Sequence, residues 1–171
     1  MLSTIHSTLN DTLLFYQRLT IKKKFSNEEL LLFHFFHEIT DVFPQNLIVV
    51  NEFVFFFLKN ENYFNAKSKL PYLRKKFQHR KIVIVREENI LVNLVYGFFP
   101  DPYIHTVRIE RNIYAGKRNV IVGFLSYEDR GIAVGCNGDY IKAVNEIFNR
   151  YVLFVENNGF QIRIKCEVVK I

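Results

Sequence analysis

A Gly-x-x-Gly turn directly before a helix is the feature of this sequence best suited to chemistry with a phosphate backbone. Gly135 and Gly138 enclose Cys136 and Asn137. Glycine adopts backbone angles closed to other residues and lets another backbone approach closely. The helix that follows directs free N–H groups and the positive end of its dipole toward the turn. We therefore expect an anion site at the turn, with Lys142 close by on the helix.

A basic stretch at residues 67–86 is the second candidate for contact with a polyanion. No acid occurs between Glu61 and Glu87, and aromatic side chains are interleaved with the cations. Such a mixture can neutralise phosphates and cover bases or sugars, whereas the plainer interpretation is a solvated basic face. We favour RNA contact, and the candidate cations are Lys67, Lys69, Arg74, Lys75, Lys76, Arg80 and Lys81.

No catalytic or metal-binding pattern accompanies these two stretches. The sequence contains no Ser/His/Asp set, paired-carboxylate motif, Walker loop or Rossmann fingerprint. The two cysteines, Cys136 and Cys166, have no histidine at ligand spacing, and His34 and His37 lack a third ligand. We therefore predict a protein that is not an enzyme and binds neither a metal nor another cofactor.

The composition indicates an anionic partner and an unusual source. The chain has 171 residues, a net charge of +6 and a pI near 9.3, which favour RNA, DNA or an acidic surface as partner. The 18 phenylalanines and the absence of tryptophan suggest a very AT-rich genome, as in an organelle or a parasite. The most apolar run, residues 47–58, is about half as long as a bilayer requires, so we expect no membrane partner.

Residues 1–80 are predicted to form a mainly helical N-terminal extension that includes the basic stretch. Ser26 and Glu29 form a capping box at the start of a helix that is apolar around most of its circumference. Such a helix should pack against other elements or a partner. Residues 47–58 form either one long strand or a second buried helix, and their periodicity does not decide between the two.

Residues 81–171 are predicted to form a three-stranded sheet with helices on one face. This order is that of the prokaryotic-type (type II) KH fold, whose Gly-x-x-Gly turn grips a few nucleotides of backbone. The predicted class is therefore α+β, with a C-terminal type II KH domain. The predicted order is a helix (87–99), two strands (106–111 and 119–125), a polar connection (126–130), an apolar segment with the turn, a helix, and a strand (160–168).

Three short motifs in this half resemble small-subunit ribosomal protein three, the universal KH protein of the ribosomal head. They lie at residues 109–111, 131–138 and 161–170. The resemblance implies ribosomal RNA and neighbouring ribosomal proteins of the head as partners. The family continues into a second domain after its KH domain, which implies that a C-terminal half is either missing here or encoded separately. Cys136 and Asn137 stand where the family usually has basic residues.

These observations predict a mitochondrial protein, encoded in the organelle, that is a structural constituent of the small ribosomal subunit and binds ribosomal RNA. Two alternatives remain open. The KH region of the transcription elongation factor NusA is about as similar at the helix before Pro100 and at residues 106–122. A protein-docking subunit of an organellar complex could keep the KH fold without RNA contact. Secondary candidates for contact with RNA or protein are Arg108, Arg111, Lys117, Arg118, Arg163 and Lys165.

Overall fold

Two three-stranded sheets, each packed with its own helices, organise the chain. A computed structural model describes residues 13–111, 116–156 and 161–170. Its class is α+β, as predicted. The chain divides into an N-terminal unit, residues 21–88, and a C-terminal unit, which comprises the residues from 89 onward and the described residues before 21.

The helices and strands follow one another along the chain with short connections. A 3-10 turn at Cys136–Gly138 separates the last two helices. The elements are β1 (Leu19–Ile21), α1 (Asn27–Thr40), β2 (Asn46–Val50), β3 (Phe53–Leu58), α2 (Asn60–Ser68), α3 (Leu70–Lys76), β4 (Lys81–Arg86), α4 (Leu91–Phe98), β5 (Ile104–Arg111), β6 (Lys117–Phe124), α5 (Tyr127–Val134), α6 (Asp139–Arg150), β7 (Val152–Phe154) and β8 (Gln161–Val168).

The N-terminal unit is built on the sheet order β2-β3-β4. The capping box predicted at its first helix is present: the Ser26 Oγ accepts from the Glu29 N–H at 3.2 Å, and the Glu29 carboxylate accepts from the Ser26 N–H at 2.8 Å. From α1, Phe36 stacks on Phe56 of the central strand with ring centroids 4.2 Å apart. The unit therefore has an apolar core of its own.

Residues 47–58, for which the sequence left strand and helix open, form two strands. β2 and β3 pair antiparallel, and a turn at Asn51 and Glu52 joins them. Asn51 adopts φ 53°, a left-handed conformation that asparagine tolerates better than the flanking valines and phenylalanines would. Every residue of β3 is buried, which explains why the run has no strand-like alternation of polar and apolar residues.

The C-terminal unit has the sheet order β5-β6-β8, with α5 and α6 packed on it. β5 is antiparallel to β6, and β6 is parallel to β8. The predicted alternation of the last strand is present, since Ile162 and Ile164 are buried and Arg163 and Lys165 are exposed. A separate two-stranded sheet pairs β1 with β7.

The two units share one topology. Apart from the separate pair of β1 and β7, each has the order helix, strand, strand, helix, helix, strand, with the central strand antiparallel to the first and parallel to the last. The parallel strand pairs of the two units also end with an equivalent hydrogen bond, donated by the residue after the outer strand to the last carbonyl of the central strand. The Glu87 N–H donates to the Leu58 carbonyl at 2.7 Å, and the Val169 N–H donates to the Phe124 carbonyl at 2.8 Å. The N-terminal unit therefore repeats the KH-like order of the C-terminal one.

The N-terminal part of the chain consequently differs from the extension that the sequence suggested. It contains three paired strands where mainly helix was expected, because short buried strands and buried helix segments look alike in apolar runs. The predicted boundary between residues 80 and 81 falls inside the N-terminal unit, since β4 pairs with β3 along its whole length. Conversely, the Leu19 N–H donates to the Asn89 carbonyl, so the described residues before 21 belong with the C-terminal unit.

Candidate nucleic-acid interface

The Gly-x-x-Gly turn at residues 135–138 lies between two helices. The segment before it, for which a polar connection at residues 126–130 was predicted, is in fact the start of α5. Ser126 caps this helix, and its Oγ accepts from the Asp129 N–H at 3.0 Å. Serine followed three residues later by an acid is a helix-start signal. The signal was present in the sequence but was missed because charged residues dominate the segment.

The backbone of the turn requires glycine at its first position. Gly135 has φ 79°, and Asn137 and Gly138 are left-handed with φ 53° and 74°. A Cβ at residue 135 would lie 2.8 Å from the Tyr140 Cβ and 2.9 Å from the Tyr140 N, and would also clash with the Asp139 carboxylate. The first turn of α6 therefore packs directly against the Gly135 backbone.

Two backbone donors of the turn point to no acceptor in the part of the chain that the structure describes. Cys136 and Asn137 are exposed, and neither N–H donates to a described residue. The helix begins at Asp139, and its N-cap residue, Gly138, provides no side-chain cap. Successive N–H groups in mixed right- and left-handed conformations form concave anion sites. The geometry therefore suits an anionic oxygen at the turn.

Lys142 supplies a positive charge over the turn. Its Nζ donates to the Asn137 carbonyl at 3.2 Å, which brings the side chain back from α6 onto residues 135–138. The two residues between the glycines are uncharged, so this lysine is the cation nearest in sequence to the turn on its helix. The structure thus brings together all five candidate residues of this stretch.

The Asn145 side chain binds α6 to β8, the edge strand of the sheet. Sequence analysis missed this role. The Asn145 Oδ1 accepts from the Ile164 N–H at 2.7 Å, and its Nδ2 donates to the Ile164 carbonyl at 3.0 Å. The same amide donates to the Ile141 carbonyl at 2.9 Å. The sequence did contain a signal for this role, because Asn145 is a polar residue among the apolar residues on one side of the helix.

A cleft of about 430 Å³ lies along the same helix. Its walls are the outward side of α6 and the first residues of β6 and β8. Four of the lining residues are cations, and the one acid, Glu146, binds Arg150 at 2.9 Å. The lining residues are Lys117, Lys142, Asn145, Glu146, Asn149, Arg150, Gln161, Ile162 and Arg163. Lys117 and Arg163, two of the secondary candidates, therefore share a cleft with Lys142.

The other secondary candidates lie elsewhere. Arg108 makes a bidentate ion pair with Glu167 at 3.0 Å. Lys165 lies 3.8 Å from the Glu110 carboxylate. Their charges are therefore balanced within the sheet, and an RNA phosphate would have to compete with these carboxylates. Arg118 is half-buried on β6. The side chain of Arg111 lies outside the described residues.

The basic stretch spreads over two helices and the strand after them. Lys67 and Lys69 lie at the junction of α2 and α3, and α3 carries Arg74, Lys75 and Lys76. The last two cations of the predicted set are engaged within the N-terminal unit. Arg80 binds Glu28 and donates to the Asn51 carbonyl, and Lys81 lies 3.4 Å from Glu52.

The cysteines and histidines do not form a common site. Cys136 is exposed in the turn, whereas burial raises the pKa of the Cys166 thiol from 9.0 to about 12, against the opposing effect of Arg130. His37 stacks on Phe43 with ring centroids 3.6 Å apart. Among the described residues, no group of three or more His, Cys, Asp or Glu side chains is placed to hold a metal ion.

Comparison with known proteins shows the fold alone. No family model and no curated protein matches the chain. It is similar to the solved structure described as "Crystal structure of APE1850", over 82% of this chain and 100% of that one, with a TM-score of 0.56 and 22% sequence identity. The likeness covers a larger part of this chain than either unit makes up alone, so it includes residues of both units. None of the described helices is long and apolar enough to cross a membrane.

Proposed function

We propose that this chain is a non-catalytic RNA-binding protein whose C-terminal unit holds the sugar–phosphate backbone of single-stranded RNA at residues 135–138. The observation that carries the proposal is the exposed Gly-x-x-Gly turn between two helices, in which the N–H groups of Cys136 and Asn137 donate to no residue that the structure describes. Backbone N–H groups can bind a phosphate without reading the base. Lys142, folded over the turn, adds charge where the turn itself has none.

The cleft along α6 gives the RNA a path beyond the turn. Lys142 borders both the turn and the cleft, and Lys117, Arg150 and Arg163 line the rest of it. A groove between one helix and the ends of two strands suits unstacked nucleotides, because single strands can present backbone and bases separately. The open face of the sheet is a poorer candidate, since two of its cations, Arg108 and Lys165, are paired with carboxylates.

A charge-insertion variant tests the turn without removing either glycine. We expect the double variant Cys136→Asp and Asn137→Asp to bind fluorescein-labelled oligouridine at least about tenfold more weakly, a change of ~1.4 kcal/mol. Aspartate tolerates the left-handed conformation of residue 137, so the fold should persist. Fluorescence anisotropy gives the affinities, and circular dichroism checks the fold.

The matched control is the double variant Asn27→Asp and Asn51→Asp. It adds the same charge at exposed positions of the N-terminal unit, and Asn51 shares the left-handed backbone of Asn137. It should bind RNA nearly as well as the unchanged protein. Equal losses in the two variants would mean that net charge alone governs binding, and no loss in the turn variant would refute the proposal.

For the assembly in which the protein acts, we propose the small subunit of a mitochondrial ribosome, with ribosomal RNA and head proteins as partners. A second candidate is a factor related to the KH region of NusA. The repeated topology favours this second candidate. The ribosomal resemblance implies a KH domain followed by another domain, whereas here the Gly-x-x-Gly unit follows a unit of the same topology.

Co-sedimentation from native cells distinguishes the two assemblies. Tagged protein that stays in the small-subunit peak at high salt would support the ribosomal proposal. Recovery with RNA polymerase would support the transcription factor. Recovery in a protein complex without RNA would contradict both, and would favour a docking subunit that keeps the fold alone.

A further inference from the structure

The junction of α2 and α3 occupies, in the N-terminal unit, the position that the Gly-x-x-Gly turn occupies in the C-terminal unit. In each unit a pair of helices connects the central strand to the outer strand parallel to it. In each unit the pair of helices also packs on that outer strand. The two junctions are therefore equivalent by topology, although nothing in their sequences is alike.

The backbone of this junction cannot grip a phosphate as the turn does. α2 ends at Ser68 and α3 begins at Leu70, so one residue separates them. That residue, Lys69, has right-handed angles of φ −90° and ψ −4°. Its N–H donates to the Ala66 carbonyl, and its own carbonyl accepts from Tyr72 and Leu73. The junction has no glycine and no positive φ, and the N–H of its central residue is already bonded.

Side-chain charge is present there instead. The five cations around the junction lie within ten residues, on two adjoining helices, and no acid occurs between Glu61 and Glu87. The last four of these cations, at residues 69, 74, 75 and 76, form no ion pair with another described residue. The five are Lys67, Lys69, Arg74, Lys75 and Lys76.

Exposed aromatic rings accompany these cations. Phe64 of α2 is 69% exposed and Tyr72 of α3 is 50% exposed. The Lys76 Nζ lies 5.7 Å from the Tyr72 ring centroid, and the Arg86 guanidinium lies 5.2 Å from that of Phe64. Aromatic faces beside cations accept nucleic-acid bases by stacking while the cations neutralise phosphates.

We propose that the junction of α2 and α3 is a second RNA site, which binds single-stranded RNA by lysine and arginine charge and by stacking, in place of a backbone grip. The inference rests on the proposed function, because it assigns a second site for the same kind of ligand. Affinity at such a site depends on released counterions, so it falls steeply with salt. Affinity at the Gly-x-x-Gly turn should depend less on salt, because neutral N–H groups and a single lysine, Lys142, make the contact.

The salt dependence of binding tests this second site. The triple variant Lys67→Gln, Lys69→Gln and Lys75→Gln should bind labelled oligouridine with a log–log salt slope that is shallower by about 2, from ~0.7 per lost phosphate contact on a single strand. The matched control is Lys22→Gln, Lys23→Gln and Lys24→Gln, which removes the same charge from exposed residues of the same unit. Its slope should change by less than about 0.5.

Two results would overturn the second site. One is a triple variant with an unchanged slope, and the other is a control that lowers the slope equally. The double variant Arg74→Gln and Lys76→Gln is an independent test, and its log–log salt slope should be shallower by about 1.4. Both results concern the salt slope. A failure of the proposed function is seen in a different measurement, as unchanged RNA affinity in the double variant Cys136→Asp and Asn137→Asp.

Discussion

Gly135 is the residue on which the shape of the Gly-x-x-Gly turn most depends. We expect Gly135→Ala to destabilise the protein by about 2 kcal/mol, because a side chain at φ 79° is strained and its Cβ would meet the start of α6. Urea unfolding gives the stability. RNA affinity should fall as well, since the turn must shift to admit the methyl group.

Gly131 provides the control for that substitution. It lies in α5, and a Cβ there would meet nothing within 4 Å. Gly131→Ala should therefore stabilise the protein by about 0.5–1 kcal/mol, because alanine loses less backbone entropy in a helix. Similar effects of the two substitutions would contradict the account of the turn.

Cys166 makes the stability of the protein fall at alkaline pH. Burial raises the pKa of its thiol from 9.0 to about 12, so the folded state holds this proton more tightly than the unfolded state does. The stabilisation is therefore complete below pH 9 and is lost as the pH rises toward 12. We expect Cys166→Ala to lose less stability between pH 8 and about 11 than the unchanged protein does.

The same unfolding series on Cys136→Ala separates this effect from other groups that titrate at high pH. Cys136 is exposed, and its removal should leave the pH dependence nearly unchanged. A steep loss of stability that persists in Cys166→Ala would assign the effect to other side chains.

At the scale of elements, α6 is held to β8 by one amide side chain. We expect Asn145→Ala to cost about 1–3 kcal/mol, because it leaves the Ile164 N–H and carbonyl without their partner in a half-buried place. Asn149→Ala, on the exposed side of the same helix, should stay within about 0.5 kcal/mol. Equal costs would mean that helix propensity, which the two substitutions share, outweighs the bonds to the strand.

The other elements that position the turn differ in how well sequence analysis could find them. The capping box at Ser26 and the alternation of β8 were predicted correctly, because each pattern lies within a few consecutive residues. The start of α5 at Ser126 was missed. The α5 segment is only eight residues long, and its apolar residues are too few to mark a helical stripe.

At the scale of the whole molecule, two units of one topology predict two protected cores. We expect the slowest hydrogen exchange in the central strands β3 and β6, since each is paired on both sides and almost entirely buried. Hydrogen-exchange mass spectrometry resolves the two strands as separate peptides. Fast exchange throughout residues 46–86, beside protection in β6, would show that the N-terminal unit is not a stably folded domain.

The repeated topology also changes what the N-terminal residues are expected to do. An apolar helical extension would need a neighbouring protein to bury it, whereas a unit with its own sheet and core does not. Exposed apolar residues on α1, such as Leu31 and Phe35, still leave part of that helix uncovered among the described residues. The basic helices after β3 thus belong to a folded unit with the KH-like order rather than to a tail.

By itself, the sequence determined the Gly-x-x-Gly turn, the helix it opens, the closing strand and the α+β class. Each of these depends on short-range backbone preferences or on a periodicity within one element. Only the tertiary structure decided that residues 47–58 are two strands, that Asn145 binds Ile164, and that Arg108 is neutralised by Glu167. The repeat was hidden for the same reason: pairing between distant strands defines it, and its N-terminal copy has Lys69 where the other has glycines.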